Sequence, residues 1–244
     1  MRGAFEGRSV VVTGGTGALG SAVSEALLEA GAIVHIPVLE AETPAHFGLG
    51  AHERVHLRHG IDLGDEAQVV DYYAQVVGSS GSGSGSGSSL WASVHLAGGF
   101  AMASLADTSL AELERLWRMN LVSCFLCCRE ATKAIRVAGG GGRLVNVAAR
   151  PALIPTAGMI AYATAKAGVA ALTTALAEEL ADEGIWVNAI APSIIDTPAN
   201  RAAMPKADHS RWPSTAELAA AILHLASPEN RCVRGAVVPV FGRS

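Results

Sequence analysis

Apolar positions along this chain fall into two kinds of run that take turns. Short runs rich in β-branched and aliphatic residues occur at Ser9–Thr13, Ala32–Leu39, Arg54–Ile61, Trp91–Leu96, Gly142–Ala149, Ile185–Ala191 and Gly235–Phe241. Such runs, bounded by glycine, proline or polar residues, predict strands buried on both faces. Between them lie longer stretches with helical spacing: Ser21–Ala30, about Asp65–Val77, about Leu110–Ala138, the run AYATAKAGVAALTTALAEEL, and Glu217–Ala226. Strand and helix alternate to the end. The pattern predicts an α/β chain with a doubly wound parallel sheet of about seven strands and helices on both faces.

Two stretches interrupt it. Gly78–Ser89 (GSSGSGSGSGSS) has the composition of a flexible linker and cannot bury a core. The pattern resumes unchanged on its far side, so it reads as a loop expansion, native or engineered, within one domain spanning 1–244. Asn200–Pro213 is polar and irregular, and 196–213 reads as a substrate flap.

Composition narrows the class. The chain has 244 residues, half of them hydrophobic, and a net charge of −4. That suffices for one large core. There is no basic run, which argues against nucleic acid. No unbroken run of about 18 apolar residues argues for a membrane span, and MRGAFEGRS lacks an apolar signal region. Cys124, Cys127 and Cys128 share one helical pattern and Cys232 stands apart. They read as small core residues of a reduced, cytoplasmic protein. His52, His56 and His59 come nearest to a ligand spacing, but no carboxylate or helical frame supports them. No metal is expected.

The first strand runs into Gly14-Gly-Thr16-Gly17-Ala18-Leu19-Gly20 and then a helix. Strand, glycine turn and helix form the context in which a glycine motif signals a dinucleotide. Gly14 permits the turn, Gly17 lets the backbone approach a pyrophosphate, and Gly20 lets the helix pack on the strand. The helix N-terminus supplies amide donors to an anion. The second strand ends near Glu40 and Glu42, with no Arg or Lys between Arg8 and Arg54. Carboxylates there would repel a 2′-phosphate, so between NAD(H) and NADP(H) the balance leans to NAD(H). Asp62 and Leu63 end the third strand, where Asp62 is placed to accept from an adenine amine. Ala97, Gly98 and Gly99 end the fourth, and their small size lets a ligand reach the backbone.

Tyr162 and Lys166 are four residues apart on a predicted helix and share a face. A cation beside a phenol favours the phenolate and lowers its pKa, which suits proton transfer. The same pair would also suit a core tyrosine beside a snorkelling lysine. Asn120 lies in an apolar stretch and must be hydrogen-bonded if buried. Two uses are open to it: tying helix to helix, or holding a water that connects to Lys166.

Taken together, TGGTGALG, the alanine-glycine pair after the fourth strand, Asn120, YxxxK and VNAIAP resemble the short-chain dehydrogenase/reductase family over nearly the whole chain. The resemblance implies a Rossmann-type fold and a single-domain oxidoreductase moving hydride between nicotinamide and a carbonyl or imine-type substrate. By the same resemblance Tyr162 is the general acid/base, Lys166 lowers its pKa and holds the nicotinamide ribose, and Asn120 holds a water in the relay. Pro192, Ile195 and Thr197 would meet the nicotinamide end. A homodimer or homotetramer is implied.

Four positions depart from the family pattern. Ala18 stands where the family has its second glycine, His95-Leu-Ala-Gly98 replaces Asn-Asn-Ala-Gly, and Ser193 follows Pro192 in place of glycine. Ala149 occupies the position of the catalytic serine, thirteen residues before the tyrosine. Losing such an oxyanion donor costs about a hundredfold or more in rate. Arg150, Thr156 and Ser193 are the candidate substitutes. Gly-Ala-Leu-Gly, an aromatic after Ala-Gly-Gly, the alanine at the serine position and Gly-Met-Ile-x-Tyr resemble the dihydropteridine reductase branch. That branch reduces a conjugated, activated substrate with less need of an oxyanion donor. A non-catalytic dinucleotide sensor or partner subunit is the alternative that Ala149 raises.

Overall fold

The computed structural model describes residues 3–79, 90–137, 139 and 141–244. Its organising strand is β1 (Ser9–Thr13), buried at every residue. Successive side chains of a strand point to opposite faces. Val10 and Val12 therefore enter one core, with Phe5, Leu27 and Ile222, while Val11 enters the other, with Tyr73, Ile135 and Leu144. Each such large aliphatic side chain contributes about 1.5–3 kcal/mol relative to exposure. A strand buried on both sides favours β-branched apolar residues, as Val10, Val11 and Val12 are, while the buried polar Ser9 and Thr13 close its two ends.

The remaining strands are β2 (Ile33–Pro37), β3 (Val55–Arg58), β4 (Leu90–His95), β5 (Gly142–Val147), β6 (Ile185–Pro192) and β7 (Val237–Val240). All pair in parallel, in the order β3-β2-β1-β4-β5-β6-β7. The helices are α1 (Ala18–Glu29), α2 (Glu66–Ser79), α3 (Leu110–Trp117), α4 (Ser123–Val137), α5 (Arg150–Leu153), α6 (Ile160–Glu179), α7 (Pro198–Ala203) and α8 (Thr215–Ala226). α1 and α8 cover one face; α2, α4 and α6 cover the other. The doubly wound sheet expected from the alternating pattern is present with seven strands.

Strand order reverses between β1 and β4, which opens a crevice at their carboxyl ends. Register fixes what sits there: Thr13 lies beside His95, and His95 beside Asn146. This row lies beneath the crevice, one layer below the loops that line it.

Three expectations are modified. The helix read as continuous from Leu110 to Ala138 is interrupted by a π-helical turn, Arg118–Val122, where the Ser123 N–H reaches Arg118 O. Asn120 lies within that turn and is buried. Asn200–Pro213 is not wholly irregular. Thr197 caps α7 by accepting from the Asn200 N–H, and Asp208 caps a 3-10 turn at His209–Arg211. The expected Gly/Ser loop begins inside α2, which runs to Ser79, and residues 80–89 lie outside the described residues. Among the described helices, α6 is the one long and apolar enough to cross a membrane. It packs against β6 and carries Lys166.

Candidate active site

The glycine turn is shaped by backbone contact. Gly14 has φ +64°, the left-handed region, and a Cβ there would stand 2.9 Å from Ala97 N. A Cβ on Gly20 would stand 2.6 Å from Gly15 Cα. Both are held to glycine by packing, as their assigned roles require. Gly17 differs: a Cβ there would meet only Gly14 O, at 3.4 Å. Among the described residues nothing else crowds it, and it faces a cleft of about 590 Å³. Thr13 ties the turn to the next strand end, its hydroxyl accepting from the Leu96 and Ala97 N–H groups at 3.1 and 3.2 Å.

Thr16 and Gly17 line one wall of the cleft, and Ala97 and Gly98 its floor. Leu39, Glu40, Asp62 and Leu63 line its length. Ala18, Leu19 and Gly20 form the first turn of α1 directly behind the glycine turn. Asp62 Oδ1 accepts from the Gly64 N–H at 2.8 Å, which shapes the loop at this edge. Glu40 lines the cleft; Glu42 is not among its lining residues. Arg115 and Arg118 also face it, from α3 and the π turn. Arg115 is paired with Glu112, and Arg118 donates to Gly64 O at 2.7 Å. The count of basic residues near the second strand could not see them, because they arrive from a helix some eighty residues further on.

Tyr162, half-buried, and Lys166, buried, lie one turn apart on α6, as their spacing predicts. Lys166 is buried and donates to Val147 O at 2.8 Å. Its Nζ lies 5.9 Å from the Tyr162 ring centroid. Phe100 meets the same ring edge-on, with centroids 5.0 Å apart. Burial pushes the Tyr162 phenol up to about 12. Burial also lowers the Lys166 ammonium to about 8, with the neighbouring Cys124 thiol acting the other way. The expected lowering of the phenol by the lysine is therefore reversed here. The ammonium is anchored to Val147 O, 5.9 Å from the ring centroid, and burial of the phenol sets the direction.

Asn120 ties the π turn to the loop after β4. Its Nδ2 donates to Gly99 O at 3.0 Å and Leu116 O at 2.9 Å, and its Oδ1 accepts from the Gly99 N–H at 3.2 Å. The partner is thus a loop and not a second helix. Both amide hydrogens are spent, so a water linking it to Lys166 would have to donate to an oxygen. A Cβ on Gly98 would stand 2.5 Å from Asn120 Oδ1 and 3.4 Å from Lys166 Nζ. The polar ends of Asn120 and Lys166 thus converge on Gly98.

Ala149 is buried, extended, and the N-cap of α5, with no side-chain cap bond. Of the three candidate substitutes for its missing hydroxyl, Ser193 donates to Phe241 O at 2.9 Å and accepts from Ser244, so its proton is committed. Thr156 donates to Ile154 O at 3.3 Å. Among the described residues the buried Arg150 Nε finds no hydrogen-bond partner, and its guanidinium is 5.7 Å from the Phe241 ring. At the other end of the site Ile195 O accepts from Asn200 Nδ2, and Pro192 closes β6. Sequence reasoning did not single out Thr13, Phe100 or Arg118. The one available signal was their position at a strand end, after a glycine pair, and two residues before Asn120.

Residues 8–208 match the family model described as short chain dehydrogenase. The chain is 28% identical over 249 residues to D-threitol dehydrogenase of Mycolicibacterium smegmatis, covering 98% of this chain and 93% of that protein. It is 33% identical over 253 residues to cis-4-hydroxycyclohexanecarboxylate dehydrogenase of Sinomonas cyclohexanicum, covering 99% and 98%. Among solved structures, ElxO with NADP bound superposes with a TM-score of 0.86 at 25% identity, covering 96% of this chain and 97% of that one.

Proposed function

The chain belongs to the short-chain dehydrogenase/reductase family, and on that premise we propose that Tyr162, Lys166 and Asn120 are the proton-transfer machinery of an NAD(P)(H)-dependent oxidoreductase. The convergence of Asn120 and Lys166 on Gly98, on the face that carries Tyr162, supports this most directly. Packing alone gives no reason for these polar groups to meet in one cleft.

The glycine turn suits a dinucleotide: Gly14 and Gly20 are demanded by the protein's own packing, and Gly17 is left open to a ligand. A nicotinamide dinucleotide bound there supplies the hydride chemistry. Tyr162 gives its phenolic proton to the substrate heteroatom in reduction and accepts it in oxidation. Lys166 supplies positive charge below it and a donor toward the ribose. Asn120 holds the Gly99 loop in place. Glu40 in the cleft supports NAD(H), and Arg118 is the counterweight that would favour NADP(H). Residues 196–213 serve as the flap over the substrate. The exposed apolar side chains of Leu110, Trp117, Val122 and Phe125 support assembly through α3, the π turn and α4.

The finer reading is an activated, conjugated substrate of the quinonoid dihydropterin kind. Ala149 supports it, and Phe100 offers an aromatic wall beside Tyr162. A secondary alcohol or its ketone is the second reading. The relatives are named as dehydrogenases of such alcohols, and the unpartnered Arg150 Nε is the donor that could replace the serine. NADH oxidation with quinonoid dihydropterin, set beside NAD(P)⁺ reduction with a panel of secondary alcohols, separates the two. Cofactor binding with no turnover of either class would favour the sensor that Ala149 raises.

A further inference from the structure

Beneath the floor of the cleft lies a polar cluster that the hydride chemistry does not use. Cys124 and Cys128 are four residues apart on α4 and present one face to the sheet. His95 meets them from the end of β4, and all three are buried. Their donor atoms lie within 4.8 Å of one another. Asn146, beside His95 in the register, adds an oxygen. Its Oδ1 is 2.7 Å from His95 Nδ1 and 3.4 Å from Cys128 Sγ.

The orientation of that amide follows from its other end. Thr173 spends its hydroxyl proton on Val169 O, at 2.8 Å, so it can only accept from Asn146 Nδ2, at 2.9 Å. Oδ1 therefore faces the cluster. The far nitrogen of the imidazole is also held: His95 Nε2 is 2.8 Å from Ser93 Oγ, which is 2.7 Å from Tyr73 OH. A histidine ligand is normally oriented by such a hydrogen bond at its other ring nitrogen. Both hydroxyls can turn, so Nε2 can become the donor and free Nδ1.

We propose that His95 Nδ1, Cys124 Sγ, Cys128 Sγ and Asn146 Oδ1 form a buried site for a thiophilic divalent cation of the zinc class. Tetrahedral zinc, with Zn–S of about 2.3 Å and Zn–N of about 2.0–2.1 Å, sets neighbouring donors about 3.3–3.8 Å apart. The Cys128 Sγ–His95 Nδ1 separation is 3.4 Å, and Cys128 Sγ–Asn146 Oδ1 is the same. The His95–Asn146 contact, now a hydrogen bond, would open by about half an ångström. Two thiol protons leave to solvent as two Zn–S bonds form. The dication and two thiolates then sum to zero charge, which suits a dry interior.

The test is metal content. The full chain carrying Cys232→Ser, which removes the exposed thiol, is produced in medium supplemented with zinc or cobalt(II), so that the buried site fills during folding. The purified protein is assayed by elemental analysis and absorption. Stoichiometric metal is expected, and for cobalt the thiolate charge-transfer and tetrahedral d–d bands. His95→Asn and Cys128→Ser should each remove the metal and the bands while retaining NADH binding. A metal-free parent overturns the proposal whatever the variants do. So does a folded His95→Asn protein that keeps its metal and spectrum.

Discussion

Asn120 grips the backbone of Gly99 from both sides, donating to its carbonyl at 3.0 Å and accepting from its N–H at 3.2 Å. This joins the π turn to the loop that floors the cleft. Asn120→Ala leaves the Gly99 and Leu116 carbonyls and the Gly99 N–H without their partner. A stability loss of about 1–3 kcal/mol is expected. It should appear as a lower denaturant midpoint together with weaker NADH binding. An unchanged midpoint would show that water replaces the side chain at no cost.

Tyr162→Phe removes the proton and keeps the ring that packs on Phe100. Turnover should fall by about 10²–10⁴-fold, with NADH affinity nearly unchanged. Steady-state rates and a fluorescence titration on the same preparation decide it; equal turnover by the variant would remove Tyr162 from the mechanism.

Ala149→Ser is a gain-of-function test. Ala149 has φ −162° and ψ 159°, an extended backbone that serine adopts freely. If an oxyanion donor is what the site lacks, kcat toward unactivated ketones should rise by about a hundredfold. Activated imine-type substrates should gain little. A rise of equal size on both classes would contradict the reading of Ala149.

Lys166 gives a signature in stability against pH. Its ammonium is lowered from 10.5 to about 8 by burial. Between those values the unfolded chain holds the proton and the folded chain does not, so stability rises with pH across that window. Below about 8 both states are protonated and the cost of the buried charge is present in full, about 3 kcal/mol. Lys166→Met should be the more stable protein near neutrality, and its advantage should shrink as pH climbs toward 10. Parallel denaturation curves for the two proteins would count against a buried, depressed lysine.

Glu40 bears on cofactor choice. Glu40→Ala removes the carboxylate and leaves Arg118 in the same cleft. NADPH affinity should rise about tenfold relative to NADH, equivalent to about 1.4 kcal/mol. Equal shifts for both cofactors in a binding titration would place Glu40 away from the ribose.

The alternation of β-branched runs with helical stretches determined the α/β class, the parallel sheet and the placing of the glycine turn. Each of these rests on local periodicity: a strand buried on both faces is built on consecutive apolar residues, as Val10–Val12 of β1 are. The Tyr162–Lys166 pairing was legible for the same reason, since four residues along a helix is a fixed geometry. Tertiary structure alone decided what meets across elements. Arg118 reaches the cleft because α3 and the π turn pack beside it. Asn120 bonds a loop because the helix opens into that turn. His95 lies against Cys124 and Cys128 because register sets β4 beside β5 under α4. Desolvation reversed the expected shift of Tyr162, and a burial cost of that kind depends on every neighbour that excludes water. Separation along the chain carries no record of such contacts, because they form only when distant elements close on one another.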